Sequence, residues 1–367
     1  MMKRRREETL PSPTRRLRHG GDIEIPLDVT VEILKKLPTK SLARCQFVSK
    51  EWSSIITMRR DFIDFVMNRS LAQPKRDAYF LASVDYRECY LTFLSSTHQD
   101  KETILIPKGF RHYLRGLVCC WSKSGRVVLY NPTTRRSLYL PKKKTIHMET
   151  SFIGYDPLEK QYKVLFLPKY NPEQPCQLFT LGETNTKWKS IQGVESHHPL
   201  QGAVCINGKI YYQAGIADQY DSTSLYILMS FDVRSEEFHN VDAPKTLMDY
   251  RSYLINFQGK LGFVCCEKGV EIWVMETQGW SKIIFSDQMN VPKSWCSISV
   301  TSGGEIVIAR CWYRTKDELD AFYYDPKQKF MRLMRNVDLE SIYPKGRHTD
   351  CILWTVPDYV ENTMRLY

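Results

Sequence analysis

The sequence predicts a small all-α unit followed by an all-β domain, a β-propeller of six four-stranded blades. Three observations predict it. Apolar residues keep helical spacing only in the first part of the chain; from about residue 73 they fall into short aromatic-rich runs separated by Gly, Asp, Asn and Pro turns. Those runs recur with a period near 48 residues. Aromatics make up 12% of the 367 residues, and such side chains suit half-buried pleated surfaces.

Residues 1–22 are polar and carry seven Lys/Arg against three Asp/Glu, which is +4 of the total charge of +11. With Pro11, Pro13 and Gly20-Gly21 they read as a disordered basic tail. "KRRR" and "TRRLR" have the composition of a nuclear import signal, and the expected location is cytoplasm, nucleus or both. No apolar stretch follows the basic residues and no run approaches the roughly 18 residues of a membrane helix, so neither a secretory leader nor membrane insertion is expected.

Residues 23–68 read as three short helices. Pro26 suits a first helical position, and Leu27, Val31, Leu34 and Leu37 recur on one face. Pro38 ends that helix. Thr39 is placed to cap a second helix carrying Leu42 and Cys45. Ser49 is placed to cap a third, carrying Trp52, Ile55 and Ile56 and continuing toward Phe62 and Val66. About 45 residues of helix are few for an independent domain, so this unit is expected to lean on something else. Residues 69–77 read as a linker, 78–360 as the β domain and 361–367 as a C-terminal tail.

The period rests on two markers. A strand–turn–strand unit has its turn near Asp85, Asn131, Gly182, Asp232, Glu276 and Asp325, at steps of 46, 51, 50, 44 and 49. A turn-then-strand unit recurs near Tyr162, Gly208, Gly259 and Gly304, at steps of 46, 51 and 45. "RGLVCC" and "LGFVCC" stand 146 residues apart, close to three periods. Propeller blades have this length. The rival architecture, a β-sandwich, gives no reason for such a period.

The residues point away from chemistry carried by this chain. There is no GxSxG, P-loop or HExxH, and no cofactor motif. His197-His198 precede Pro199 in a turn and have no third ligand in view, so no metal is expected. The eleven Cys form no CxxC pair, and Cys119-Cys120 and Cys265-Cys266 lie in apolar runs, as reduced buried thiols do. No basic stripe is interleaved with aromatics; a nucleic-acid-binding propeller therefore stands only as an alternative.

The segment "IPLDVTVEILKKLPTKSLARCQFVSKEWSSIITMRRDF" resembles an F-box in the order of Pro26, Asp28, Glu32-Ile33-Leu34, Leu37-Pro38, Lys40-Ser41-Leu42, Arg44, Val48-Ser49-Lys50, Trp52 and Phe62. Ile25, Val29, Cys45 and "MRRDF" depart mildly from that pattern. "RGLVCC", "VVLYNPTTRR" and "GYDPLEKQYKVL" resemble the plant F-box-associated interaction domain, a kelch-related propeller. The resemblance implies a substrate-receptor subunit of an SCF-type cullin–RING ubiquitin ligase. The F-box would dock on a Skp-family adaptor and, through it, on the cullin and RING subunits, and the β domain would hold a protein substrate. The alternative within that resemblance is an interaction scaffold with no ubiquitin transfer. The physical reading agrees: short helices with a surplus of apolar side chains bury them against a partner. The expected adaptor face is Pro26, Leu27, Leu34, Leu37, Pro38, Leu42, Val48 and Trp52, with Leu34 and Val48 the first candidates for internal packing and Pro38 and Trp52 for the interface. Substrate recognition is expected on loops at one propeller face. The candidate loops are 168–176, 215–224, 243–252 and 312–319, with Tyr170, Tyr220, Tyr250, Trp312 and Tyr313 as aromatic anchors.

Overall fold

Two prolines and one serine punctuate the helical unit. In the computed structural model, α1 spans Leu27–Lys35, α2 Thr39–Cys45, α3 Lys50–Met58 and α4 Arg60–Ala72. The structure describes residues 25–72, 76–83, 89–95, 101–106, 110–122, 125–142, 150–168, 175–182, 187–191, 197–216, 226–248, 252–265, 270–286, 296–310, 312–313, 318–319, 321–333, 337–338 and 351–366. Pro26 and Pro38 each stand at the N-cap of the helix that follows, and the Ser49 Oγ accepts the Trp52 N–H at 3.1 Å, as its sequence position predicts. Thr39 is not a cap: it is the first residue of α2, buried, and its Oγ1 accepts from Arg69 Nη2 at 3.3 Å.

The expected three helices are four. Arg59 adopts an extended conformation (φ −73°, ψ 107°), so the helix begun at Lys50 stops and a new one starts at Arg60. The change of direction brings Phe62 and Val66 onto Val31, Leu34, Leu42, Ile55 and Ile56, closing a small core. Helix α4 then runs through Ala72, into the stretch read as linker, and the first strand begins at Arg76.

The β domain is a ring of antiparallel sheets. Blade I is Phe110–Leu114, Leu117–Trp121, Val127–Asn131 and Arg136–Tyr139; blade II is Thr150–Asp156, Gln161–Leu167, Cys176–Thr180 and Lys189–Ile191. Blade III is His198–Ile206, Lys209–Gly215, Tyr226–Asp232 and Phe238–Val241; blade IV is Ser252–Phe257, Lys260–Cys265, Val270–Glu276 and Gly279–Ser286. Blade V is Cys296–Val300, Ile306–Arg310, Ala321–Asp325 and Phe330–Leu333. The expectation of six like blades is corrected to five. The remaining large sheet is five-stranded and joins both ends of the domain, in the order Trp312–Tyr313, Cys351–Val356, Arg76–Ser83, Cys89–Ser95, Lys101–Ile106. A closing sheet drawn from two distant parts of the chain cannot follow a single contiguous repeat.

The core lies between sheets, and this sets the sandwich aside. One apolar cluster joins Leu117, Cys119 and Leu129 of blade I to Ile153, Val164 and Phe166 of blade II. Others join Phe152 and Leu165 to Ile210 and Phe231, Ile206 and Leu228 to Leu261 and Phe263, and Ile255 and Ile272 to Ile306 and Ile308. At the closing sheet, Thr355 Oγ1 lies 2.6 Å from Ser299 Oγ of blade V, and its N–H donates to Ser297 Oγ at 3.0 Å.

The two sequence markers are two kinds of hairpin. Asn131, Asp232 and Asp325 end third strands, and each side-chain Oδ1 accepts the backbone N–H groups two and three residues on. Each such turn closes on a residue of positive φ: Arg135 (54°), Glu236 (62°) and Lys329 (52°). Asp156, ending the first strand of blade II, makes the same turn, with Lys160 at φ 51°. Of the turn-then-strand markers, Asn207-Gly208 and Gln258-Gly259 are two-residue turns with both φ positive, as is Arg115-Gly116 of "RGLVCC"; Tyr162 instead follows the Asp156 turn, and Gly304 (φ 91°) closes a longer turn begun at Thr301. "RGLVCC" and "LGFVCC" are the second strands of blades I and IV, three blades apart.

The C-terminal residues read as a tail are part of this architecture. Asn362 and Thr363 are fully buried, and Leu366 enters the core between blades I and II. The segment lies against the Arg115-Gly116 turn so closely that a Cβ on Gly116 would stand 2.5 Å from Asn362 Cβ and 2.7 Å from Val360 O.

Two outcomes follow. Gly116→Ala meets both a positive φ and that close contact, and should cost about 3 kcal/mol of stability. Gly259→Ala has the same φ but open space around it, and should cost about 1 kcal/mol; urea titration compares the two. The second concerns His112 on the first strand of blade I, which is buried and whose Nδ1 accepts the Ile153 N–H of blade II at 3.1 Å. Burial pushes its pKa from 6.5 down to about 4. The unfolded chain takes up that proton near pH 6.5 and the folded chain only near pH 4, so its contribution is full above pH 6.5 and lost as pH falls toward 4. Between pH 7 and 4.5 the wild type should lose about 2 kcal/mol more than His112→Gln, measured by urea midpoints.

Candidate docking surface and its junction with the propeller

The small core of the helical unit divides its apolar residues into two sets. Leu34 and Leu42 are fully buried in it, which removes both from the expected open face. Leu37, Cys45 and Trp52 are half-buried and pack against the same core. Pro26 and Pro38 are exposed, Leu27 is 50% exposed, and Val48, expected to be internal, is 65% exposed. Phe47 beside it is the most exposed large apolar side chain described, at 79%.

Helix α1 is apolar on two sides. Thr30, Val31 and Leu34 face inward, while Val29 and Ile33, one turn apart, stay outward at 44% and 42%. Together with Ile25, Pro26, Leu27, Pro38, Phe47, Val48, Met58 and Leu71 they are the apolar side chains that the unit leaves exposed among the described residues. Val29, Ile33 and Phe47 are not among the residues expected from the sequence, where the inward stripe of α1 is the stronger pattern; the four-residue spacing of Val29 and Ile33 is the signal that marks a second face. A shallow groove is lined by Leu27, Asp28, Val31, Glu32, Lys35 and Arg59, with Lys35 Nζ paired to Glu32 Oε1 at 2.8 Å.

Helix α4 holds the unit together and carries it to the propeller. Arg69 Nη1 donates to the Lys35 carbonyl at the end of α1 at 2.6 Å, and its guanidinium and Lys35 Nζ both lie over the Phe65 ring. On its other side, Ile63 and Met67 pack on Val360 and Met364. Asp64 lies 2.9 Å from Lys160 Nζ and 3.5 Å from Arg115 Nη2. The Arg115 guanidinium stacks 4.2 Å above the Tyr155 ring, and burial pushes the nearby Tyr162 hydroxyl up to about 12. Arg60 Nη1 donates to the Glu159 carbonyl.

These contacts fall on the turns between first and second strands of blades I and II, so the helical unit grips the rim that carries those turns. Tyr170, Tyr220 and Tyr250 lie outside the described residues. The strands bounding their segments, Leu167 to Cys176, Gly215 to Tyr226 and Val241 to Ser252, end on the opposite rim. Trp312 and Tyr313, read as loop, form a two-residue strand of the closing sheet, paired with Ile352 and Cys351.

Comparisons with known proteins agree with both halves. Residues 23–64 match the F-box domain family, and residues 70–360 match the F-box associated beta propeller domain family. A chain of Arabidopsis thaliana, provisionally named an F-box protein, is 43% identical over 373 residues, covering 98% of each chain. A second, named an F-box protein of the same plant, is 36% identical over 376 residues, covering 94% of this chain and 88% of its own. With a core that lies between successive sheets and an F-box ahead of them, this chain belongs to the plant F-box proteins that carry an F-box-associated β-propeller.

Proposed function

We propose that this chain is the substrate-receptor subunit of an SCF-type cullin–RING ubiquitin ligase. The observation that carries the reading is the apolar surplus of the helical unit: Pro26, Leu27, Val29, Ile33, Pro38, Phe47 and Val48 are all exposed while the unit's own core is already filled. A surplus of this kind next to a complete core is what a partner helix of a Skp-family adaptor would cover, and through the adaptor the chain would reach the cullin and RING subunits. Leu37 and Trp52 would border the contact. The propeller would then hold a protein substrate on the rim away from the helices, where Tyr170, Tyr220 and Tyr250 remain the proposed aromatic anchors. Such a subunit acts by proximity: it raises the effective concentration of substrate lysines near a charged ubiquitin carrier, and the bond-making groups belong to other proteins.

The test is adaptor affinity. Fully burying one such side chain is worth roughly 1.5–3 kcal/mol. Phe47→Asp together with Val48→Asp should therefore weaken adaptor binding at least tenfold, about 1.4 kcal/mol, with no change in melting temperature, as read by calorimetry. Leu158→Asp, 73% exposed on the propeller, should leave the affinity unchanged. Undiminished binding by the double variant would refute the assigned face. Cullin recruitment followed by ubiquitin transfer separates a ligase receptor from a scaffold.

A further inference from the structure

We propose that the segment 358–366, keyed by Asn362, is a positioning element that locks the helical unit and the propeller into one fixed orientation. Its consequence for ubiquitin transfer rests on the receptor reading above; the locking itself does not.

The segment has two faces. Toward the propeller, Asn362 is fully buried and its amide is used completely. Its Nδ2 donates to the Arg115 carbonyl at 2.8 Å and lies 3.4 Å from the Tyr162 hydroxyl; its Oδ1 accepts from Met364 N at 2.8 Å. Its backbone N–H donates to Thr133 Oγ1 at 3.0 Å, and its carbonyl accepts from Asn131 Nδ2 at 2.9 Å. That Asn131 is the same residue whose Oδ1 caps the third-strand turn of blade I, so the repeat's turn chemistry also grips the segment. Toward the helices, Glu361 N donates to Ser70 Oγ at 3.0 Å, Arg365 N donates to the Thr57 carbonyl at 3.1 Å, and Val360 and Met364 cover Ile63 and Met67. Residues 359, 362 and 366 thus serve the blades and 361 and 365 the helices, while 360 and 364 serve both: Val360 N donates to the Tyr113 hydroxyl and the Met364 carbonyl accepts from Asn131 Nδ2.

Magnitudes decide what holds the orientation. The direct helix-to-blade ion pairs of Asp64 with Lys160 and Arg115 are a quarter to nearly half exposed, and such pairs contribute about 0–1 kcal/mol each. The buried amide of Asn362 is in another class: a hydrogen-bonded polar group out of water costs its full desolvation when its partner is removed. Asn362 thus fixes the segment on the propeller, and the joint to the helices is carried by the Glu361 and Arg365 N–H groups and by Val360 and Met364 packed on Ile63 and Met67. For an enzyme-free receptor this matters, because proximity catalysis needs the substrate at a defined place, and a loose joint spreads the same effective concentration over a larger volume.

The experiment measures orientation directly. Spin labels carried on unnatural amino acids at exposed Lys50 and Lys327 avoid the native cysteines, and double electron–electron resonance reads the distance between helices and blade V. The wild type should give one narrow distribution. Asn362→Ala removes the propeller-side key, and Arg365→Pro removes the N–H that reaches Thr57 while leaving Asn362 in place. Both should broaden the distribution at least twofold, with affinity for the Skp-family adaptor within twofold of wild type. In a reconstituted ligase, ubiquitin on the chain's own propeller lysines should spread to more sites, mapped by mass spectrometry. Should Asn362→Ala lower the melting temperature of the propeller, Arg365→Pro decides alone. An unchanged narrow distribution in Arg365→Pro overturns the proposal. Broadening with no ubiquitin transfer even by the wild type supports the lock and overturns only the receptor reading.

Discussion

A ring of sheets that buries its apolar side chains between neighbours is stable only when it is closed. Left open, the two end sheets would each expose a face that the ring otherwise covers. The closing sheet meets this demand by pairing Cys351–Val356 with Arg76–Ser83 over six successive residue pairs, from Ala78↔Val356 to Ser83↔Cys351. Everything else is placed by that pairing. It brings the chain end back to the strand that follows helix α4, so that residues 357–366 emerge beside the helices and against blade I. Non-local pairing of this kind carries the loop-closure cost of almost the whole domain, and the hydroxyl contacts of Thr355 with Ser297 and Ser299 tie the closing sheet to its neighbour.

The helical unit solves a different problem. It has about forty-five residues and cannot bury everything apolar it carries. Seven residues, from Val31 to Val66, fill its core, with Leu37, Cys45, Trp52 and Phe65 half-buried against it; Ile63 and Met67 are spent on the joint with the propeller; the remainder stays outside. The division is geometric. On α1, residues 30, 31 and 34 point inward, so 29 and 33 point outward. Phe47 and Val48 lie between α2 and α3, where no helix passes over them.

What was legible in the sequence follows from where local chemistry sets structure. The hairpin markers were readable because Asn131, Asp232 and Asp325 act on backbone groups two and three residues away, and the Gly116, Gly208 and Gly259 turns need positive φ. Period and phase therefore appear without any tertiary knowledge. The Ser49 cap was readable for the same reason. The fourth helix was not: nothing in "TMRRDF" forbids a continuous helix, and only packing of Phe62 and Val66 onto α1 and α2 selects the break at Arg59. The composite closing sheet and the role of Asn362 were hidden too, since their partners lie more than two hundred residues away. Of the expected docking residues, Leu34 is internal, as its place among the first candidates for internal packing anticipated; Leu42 is internal and Val48 exposed against expectation, because an apolar stripe by itself does not say whether its partner is the same chain or another.

Exposed apolar side chains are a liability for a chain on its own, and the unit that carries these is packed through α4 against a large domain. The two observations bear together on the receptor reading. An adaptor that binds the folded helices and not the unfolded chain stabilises them by RT ln(1 + [L]/Kd), about 2.7 kcal/mol at a hundredfold excess over Kd. In a loosely tethered unit that gain would stop at the helices. Here α4 shares Ile63 and Met67 with the segment that also seals blade I, so part of the unit's local stability is also propeller stability. Adaptor occupancy would then protect the receptor domain as well as its docking module, and the same contacts that aim the substrate would make the unassembled chain the less stable species.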